Sequence, residues 1–341
     1  DIDRIDKELL KLFTERMQCA ERVAEIKRKA GIPVLNAARE QVILDRVKKE
    51  AGEYGDSAVA LYSAIMSISR ARQHNMLKSG GVLRVLEQNS PKTLKADPRV
   101  ICQGAAGAFS HSAALRLFPG QKPIFLPGFR DVFEAVHNSA GDYGVVPVEN
   151  SDAGSVSEVY DLIMKHRMFI VGAADIPVRH CLCRAKGTGA VKKVLSKHEA
   201  LVQCSAYLAA HDIETEAYSN TAAAAKFIAE TRPEGVGAVC SAQAAEEYGL
   251  EVIAADIQNT DNNCTRFIVI SREAVLPEDA EKISLCFSLP HTPGSLCHTL
   301  ERFALLGLNL TKIESRPIPE RNFEYDFYLD FTGNVHDVQT L

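Results

Sequence analysis

The amino-acid sequence predicts a multidomain chain of three fold classes: an all-α N-terminal segment, a two-lobed α/β middle, and an α+β C-terminal segment. Three observations predict this. Apolar residues recur at helical spacing through residues 1 to about 79, with no β-like run. From residue 99 to about 273, short β-branched runs alternate with Ala-rich helical runs. From about Lys282 the order is strand, helix, strand, strand.

A chain of 341 residues exceeds what one hydrophobic core organises, so several domains are expected. No run approaches the roughly 20 apolar residues that span a bilayer, and no signal peptide precedes the first helix. The net charge of −5, without a basic block, gives no footprint for nucleic acid. Nine Cys without metal-ligand spacing read as reduced thiols of a cytoplasmic protein. Cys181 and Cys183 fit one face of a strand better than a redox or metal site. The chain opens inside a helix at Asp1 without an initiator Met, and it reads as cut at both ends.

In the first segment Ile2, Ile5, Leu9, Leu12, Val23 and Ile26 mark a helix that stops at Gly31 and Pro33. About 30 residues at 1.5 Å each give roughly 45 Å. Further helices are expected from about Ala37 to Ala51 and from about Asp56 to Leu77. Three helices this long cannot close on themselves in 80 or so residues, which predicts an intertwined homodimer. Residues 80–98 read as a linker with a short apolar piece.

The middle segment alternates in order: RVICQG then SHSAALRLF, DYGVVPVEN then SVSEVYDLIMKH, ETEAYS then TAAAAKFIAE, GVGAVCS then AQAAEEYG. Mostly parallel strands are expected, in lobes of about 99–177 plus 262–273 and of 178–261. Ser110, Ser155, Thr221 and Ser241 stand as N-cap types at the strand-to-helix turns, where free N–H groups favour anions. The last segment, 281–341, reads ISLCFSLP, GSLCHTLERFALLG, LTKIESR and EYDFYLDF, then a helix starting at VHDVQTL. A complete ferredoxin-like unit needs one more strand.

Polar residues follow the helical periodicity. Arg16 and Lys27, eleven apart, lie nearly on one line beside Leu9, Leu12 and Val23. Arg39 and Glu40 open the second helix, and Ser69 and Gln73 sit at i, i+4 on the third. Spacing alone favours solvated surface charge over a site. The run IDRIDKELLKLFTERMQCAERVAEIK followed by AAREQVILDRV resembles the all-helical chorismate mutase family over nearly the whole segment. The resemblance implies that Arg16 binds a substrate carboxylate, Lys27 and Gln73 the ether oxygen, and Glu40 the ring hydroxyl. Asn36, Arg39 and Ser69 complete that pocket. A pericyclic rearrangement of chorismate to prephenate needs a clamp on a dianion and donors at the ether oxygen, and no cofactor or metal. Asn36 stands where many family members carry Asp. The family's further Arg, just upstream of Ile2 and donated to the neighbouring subunit, falls before Asp1.

NNCTRFIVI, VPVENSDAGSV, GAAGAFSHSAA, VQCSAYL and SNTAAAAKF occur in the order found in prephenate dehydratase, which the middle segment resembles throughout. The resemblance implies a two-lobed, periplasmic-binding-protein-like fold and a reaction that expels the ring hydroxyl with CO2 to leave phenylpyruvate. It assigns catalysis to Thr265, Glu149 and Asn150, with Thr265 donating to the departing hydroxyl. Substrate is held by Ser110, Gln203, Thr221, Arg266 and Phe267. Arg266 either binds a carboxylate or is structural, and Glu149 either acts as an acid or anchors its turn. Ala108 replaces the usual hydroxyl of the glycine turn, and the Ser196-Lys197-His198-Glu199 run departs from the family pattern, so His198 is not assigned to catalysis.

PGSLCHTL and NLTKIESRP resemble the two effector motifs of the ACT regulatory domain. This implies that L-phenylalanine binds between paired domains through Gly294, Ser295, Leu296, Asn309 and Leu310, as end-product feedback. The whole chain thus resembles the bifunctional chorismate mutase–prephenate dehydratase family, as a homodimer or homotetramer. The alternatives are an arogenate dehydratase and a non-catalytic two-lobed ligand-binding protein.

Overall fold

The computed structural model describes residues 1–76, 81–318, 321–337 and 340. They form two compact units, Asp1–Asn89 with Glu278–Leu341, and Ser90–Pro277.

In the first unit the periodic N-terminal segment forms α1 (Ile2–Ala30), α2 (Ala37–Glu50), α3 (Gly55–Met76) and α4 (Gly81–Asn89). The expected continuation of the third helix to Leu77 lies outside the described residues. α1 stops at the Gly31–Pro33 breaker, and α2 begins where Asn36 Oδ1 accepts the Arg39 N–H at 3.1 Å. Met17, Ala20 and Ala24 of α1 are buried, as are Val34, Val47 and Met66. The N-terminal half of α1 buries little: Ile2, Leu9 and Leu12 are 74%, 54% and 61% exposed. α4 occupies part of the segment expected as a linker, because Leu83, Val85 and Leu86 alternate with polar positions at helical spacing.

The C-terminal part follows the expected order. β12 (Lys282–Ser288) leads to α12 (Ser295–Leu305), then β13 (Leu310–Pro317) and β14 (Tyr325–Thr332). The sheet is antiparallel in the order β12-β14-β13, with Leu285 and Ile313 both opposite Leu329. Among the described residues β12 pairs with β14 alone. The helix expected from Val335 falls partly outside the described residues, and 335–337 form a turn and bend.

The second unit has two lobes. The first holds β1 (Val100–Gln103), α5 (Phe109–Leu117), β2 (Ile124–Leu126), α6 (Phe129–His137), β3 (Tyr143–Asn150), β4 (Gly154–Ser155), α7 (Ser157–His166) and β5 (Phe169–Pro177). The second holds β6 (Cys181–Arg184), β7 (Lys193–Ser196), α8 (His198–Gln203), α9 (Ser205–Ala210), β8 (Glu214–Ala217), α10 (Thr221–Thr231), β9 (Val236–Cys240), α11 (Ala242–Glu247) and β10 (Glu251–Ala254). β11 (Cys264–Ser271) returns to the first lobe. The sheets run β2-β1-β3-β11-β5, with β4 beside β3, and β10-β6-β9-β7-β8.

Both sheets are mixed, yet most strands run one way, as expected: β1, β2, β3 and β5 share a direction with β11 and β4 reversed, and β7, β8, β9 and β10 share one with β6 reversed. β1 pairs parallel with β2 and β3, and β7 with β8 and β9. β11 runs antiparallel to β3 and β5, and β6 to β9 and β10. The reversal comes from the two crossings: a chain that leaves one sheet and returns to it enters in the opposite sense. The crossings are bonded together, Val178 N–H to Asn263 O at 2.9 Å and Ile257 N–H to His180 O at 3.0 Å. The first lobe's core gathers Val100, Val145, Phe267 and Val269. Cys181, Cys183 and Cys240 share one face of the second sheet with Ala224 and Ile228 of α10, so the paired thiols are core residues.

Candidate functional site

Two candidate sites and one further cavity emerge. In the helical segment, Arg16, Lys27, Asn36, Arg39, Glu40, Ser69 and Gln73 all line one cavity of about 290 Å3. The periodicity explains this: two residues three turns apart on α1 meet two residues one turn apart on α3, and the first turn of α2 closes the third side. Lys27 Nζ donates to Val34 O, which spends one of its three donors. Gln73 Nε2 donates to Ser69 Oγ at 3.4 Å, and Gln73 Oε1 is enclosed without a partner among the described residues. Asn36 spends its acceptor on the α2 cap, a role Asn and Asp fill about equally. The sequence reasoning missed Arg70, which lines the same cavity and pairs with Glu40. It stands among other helical cations, and nothing in the local sequence distinguishes it.

The second site lies where the chain crosses between the lobes. Strand register sets Thr265 opposite Asn150 and Arg266 opposite Glu149, on alternate faces of β11. Asn150 is fully engaged. Its Oδ1 accepts the N–H groups of Asp152 and Ala153 at 3.0 and 2.9 Å, shaping the turn after β3. Its Nδ2 donates to Asn263 Oδ1 at 2.7 Å and to Thr265 Oγ1 at 2.8 Å. Because Oγ1 accepts from Asn150, the Thr265 O–H remains to be donated elsewhere.

On the other face the Arg266 guanidinium grips Asp175 with two bonds of 2.7 and 2.8 Å, and Glu149 lies 3.8 Å from it. Its charge is thus already matched within the sheet. Phe267, expected against substrate, is instead a core residue, 3% exposed, because strand alternation turns it into the first lobe.

Ser110 is not an N-cap. It lies inside the first turn of α5, and its Oγ donates to Gln103 O at 2.5 Å. Ala108 occupies the cap without a side-chain bond, as expected from its missing hydroxyl, and Gly107 N–H bonds His111 Nδ1 at 3.1 Å. Thr221 is likewise the first helical residue, one position past the true cap Asn220, whose Oδ1 accepts from Ala223 N at 2.7 Å. Ser155 sits in β4, while Ser241 does cap α11.

Gln203 ends α8 and meets His180, Nε2 to Oε1 at 3.0 Å. His180 is buried, its burial pushes its pKa down, and its ring meets Phe109 of the first lobe edge-on at 5.7 Å. His180 and Asn263, both on the crossings, escaped the sequence reasoning, because only the tertiary path brings them to Gln203 and Asn150.

In the C-terminal part a cavity of about 480 Å3 opens at the start of α12. It is lined by Pro290, Ser295 and Leu296 with Glu324, Tyr325 and Phe327. Gly294 caps that helix. Asn309 and Leu310 do not line the cavity: Leu310 pairs with Phe331, at the opposite end of β14 from Tyr325.

A helical segment with a cation-lined pocket is joined in one chain to a two-lobed α/β domain with a Thr-Asn pair at its crossings, and to a small antiparallel sheet. The family profile for prephenate dehydratase matches residues 100–275, and that for chorismate mutase type II matches residues 1–74. The bifunctional chorismate mutase/prephenate dehydratase of Aquifex aeolicus (strain VF5) is 34% identical over 348 residues, covering 99% of this chain and 89% of that protein. Arogenate dehydratase 2 of Petunia hybrida is 40% identical over 257 residues, 70% of this chain and 65% of that protein. The chain thus spans just under two thirds of that plant relative. The structure of prephenate dehydratase from Arthrobacter aurescens in complex with L-Phe superposes with a TM-score of 0.64 at 31% identity, covering 71% of this chain and 82% of that one. The chain belongs to the prephenate dehydratase family, in the form fused to a type II chorismate mutase domain.

Proposed function

We propose that the protein rearranges chorismate to prephenate in its helical cavity and converts prephenate to phenylpyruvate between its two lobes. The observation that carries the second reaction is the Asn150–Thr265 bond of 2.8 Å, which leaves the Thr265 proton to be donated. In that reaction the bond from ring to carboxylate breaks and CO2 departs. Its electron pair completes the aromatic sextet, the C–O bond breaks, and the hydroxide leaves as water after taking a proton. Thr265 stabilises charge on the departing oxygen, and aromatisation supplies the driving force. Gln203, its Oε1 held by His180, presents its amide donors. Thr221 and Ser110 border the substrate through their helix starts, where backbone N–H groups favour its carboxylates. Glu149 and Arg266 hold the strand register from the far face.

In the first reaction the ether C–O bond breaks as a C–C bond forms. Arg16 and Arg39 clamp the carboxylates, Lys27 and Gln73 meet the ether oxygen, Glu40 takes the ring hydroxyl, and Asn36 and Ser69 border it. The exposed apolar face of α1 at Ile2, Leu9 and Leu12 supports pairing with a second copy of this chain. L-Phenylalanine occupies the cavity at α12, its carboxylate at Gly294, Ser295 and Leu296 and its ring against Pro290 and Phe327. Asn309 and Leu310 reach it from a paired domain. Among the described residues no helix is long and apolar enough to cross a membrane.

The test incubates the chain with prephenate, with and without phenylalanine, and follows phenylpyruvate. Turnover that Thr265→Ala abolishes and phenylalanine suppresses is expected; an active Thr265→Ala protein overturns the assignment of the donor. The plant relatives motivate a parallel incubation with arogenate, whose conversion in preference to prephenate would reassign the substrate.

A further inference from the structure

Arg70 follows Ser69 on α3 and lines the mutase cavity beside residues contributed by α1 and α2. Its Nη1 donates to Glu40 Oε2, tying α3 to the first turn of α2. The pair is shielded, with side chains 18% and 25% exposed. The Arg70 Nε is enclosed and has no hydrogen-bond partner among the described residues.

The cavity lining places Glu40 among four cations, Arg16, Lys27, Arg39 and Arg70, an excess of three positive charges. That excess suits a dicarboxylate, but it sets a trap for the one carboxylate present. A Glu side chain with three rotatable bonds can fold onto any cation within reach, and each such pairing would occupy a group that substrate needs. A guanidinium is a planar, rigid fork and holds a carboxylate in a fixed orientation where an ammonium would not. Arg70 is rooted on a different helix from Glu40, so the pairing is set by helix packing and not by local flexibility.

We propose that Arg70 is a positioning residue of the mutase site, holding Glu40 by one oxygen so that the other accepts the ring hydroxyl of the substrate. The inference rests on the mutase reading above and extends it to a residue that reading gives no role.

The experiment uses the full chain with Arg70→Met, Arg70→Lys, Glu40→Gln and the double variant Arg70→Met with Glu40→Gln. Rates of chorismate consumption give kcat and KM, and helical circular dichroism reports folding. Arg70→Met should lower kcat about 10- to 100-fold with KM within roughly threefold, and Arg70→Lys should recover most of the loss. In the Glu40→Gln background the same Arg70→Met change should cost less than about twofold, because its effect passes through Glu40. Losses that multiply in the double variant overturn the proposal. So does a rise in KM at unchanged kcat, which would make Arg70 a direct carboxylate contact. Should Arg70→Met unfold the helices, Arg70→Lys is compared in the wild-type and Glu40→Gln backgrounds by the same criterion. An inactive wild-type chain would remove the mutase reading itself and the proposal with it, whereas an active one with multiplying losses removes the proposal alone.

Discussion

Replacing Gly107 by Ala should force the dehydratase lobes apart and leave mutase turnover intact. Gly107 lies in the turn before α5 with φ +79°, and a Cβ there would sit 2.5 Å from Ala244 Cα, 2.7 Å from its Cβ and 3.1 Å from its N. Ala244 belongs to α11 of the other lobe, and its backbone cannot rotate out of the way. Carbon contacts are comfortable at about 3.5–4 Å, so the lobes must separate by roughly 1 Å. The separation strains two bonds that cross the same junction, Ser241 Oγ to Gly107 O at 2.8 Å and Tyr248 OH to Ala106 O at 2.9 Å. At about 1 kcal/mol net for each, closure weakens by about 2 kcal/mol, or roughly 30-fold, before the clash itself is counted. The left-handed backbone adds about 1–2 kcal/mol against overall stability. Gly187→Ala supplies the control, since Gly187 has φ +80° but nothing within 4 Å. It incurs the backbone cost without the clash. The assay is kcat/KM for phenylpyruvate formation, with chorismate consumption as the internal reference. A Gly107→Ala protein within twofold of wild type would refute the reasoning, as would an equal loss in Gly187→Ala.

Other predictions follow from the same geometry. His180 is kept neutral by burial, which lowers its pKa against a smaller opposing effect of its bond to Gln203. The unfolded chain takes up that proton near pH 6.5, so stability should fall as pH drops from about 6.5 through the lowered folded value. Denaturant midpoints between pH 7.5 and 5 should show a shallower decline in His180→Gln. His111 and His166, also lowered by burial, keep part of the slope, and identical slopes in the two proteins would reject the account. Phe267→Ala should cost about 3–5 kcal/mol of stability, measured by chemical denaturation, because the ring is enclosed in the first lobe's core. A loss under about 1 kcal/mol would contradict that burial. Leu9→Asp with Leu12→Asp should lower the oligomeric mass seen by sedimentation without phenylalanine and strip mutase activity while leaving prephenate turnover. An unchanged mass would show that this face is not the pairing surface.

Most of the polar lining of the helical cavity was legible in the sequence. A helix turns spacing into direction, so Arg16 with Lys27, and Ser69 with Gln73, could be assigned to common faces before any packing was known. Arg70 escaped because the same periodicity carries many surface cations, and only the packing of α3 on α2 selects the one that meets Glu40. The order of strands and helices was also legible, since apolar alternation and Ala-rich runs are local signals. Cap positions were misjudged at Ser110 and Thr221 by one or two residues, because several neighbouring residues could serve and the turn's backbone decides among them.

The candidate site at the lobe crossings is a different case. Its Thr-Arg-Phe and Glu-Asn pairs were visible as motifs, yet their division of labour was not. Register across β3, β11 and β5 turns Thr265 to Asn150, hands Arg266 to Asp175 and buries Phe267 in the core. His180 and Asn263 join the site only because the chain crosses between lobes twice, at positions bonded to each other. What the sequence by itself determined is therefore whatever a three- to four-residue repeat or a two-residue alternation can encode. What only the tertiary structure decided is which partner each side chain meets, because strand register and lobe crossing join residues a hundred positions apart that no local rule relates.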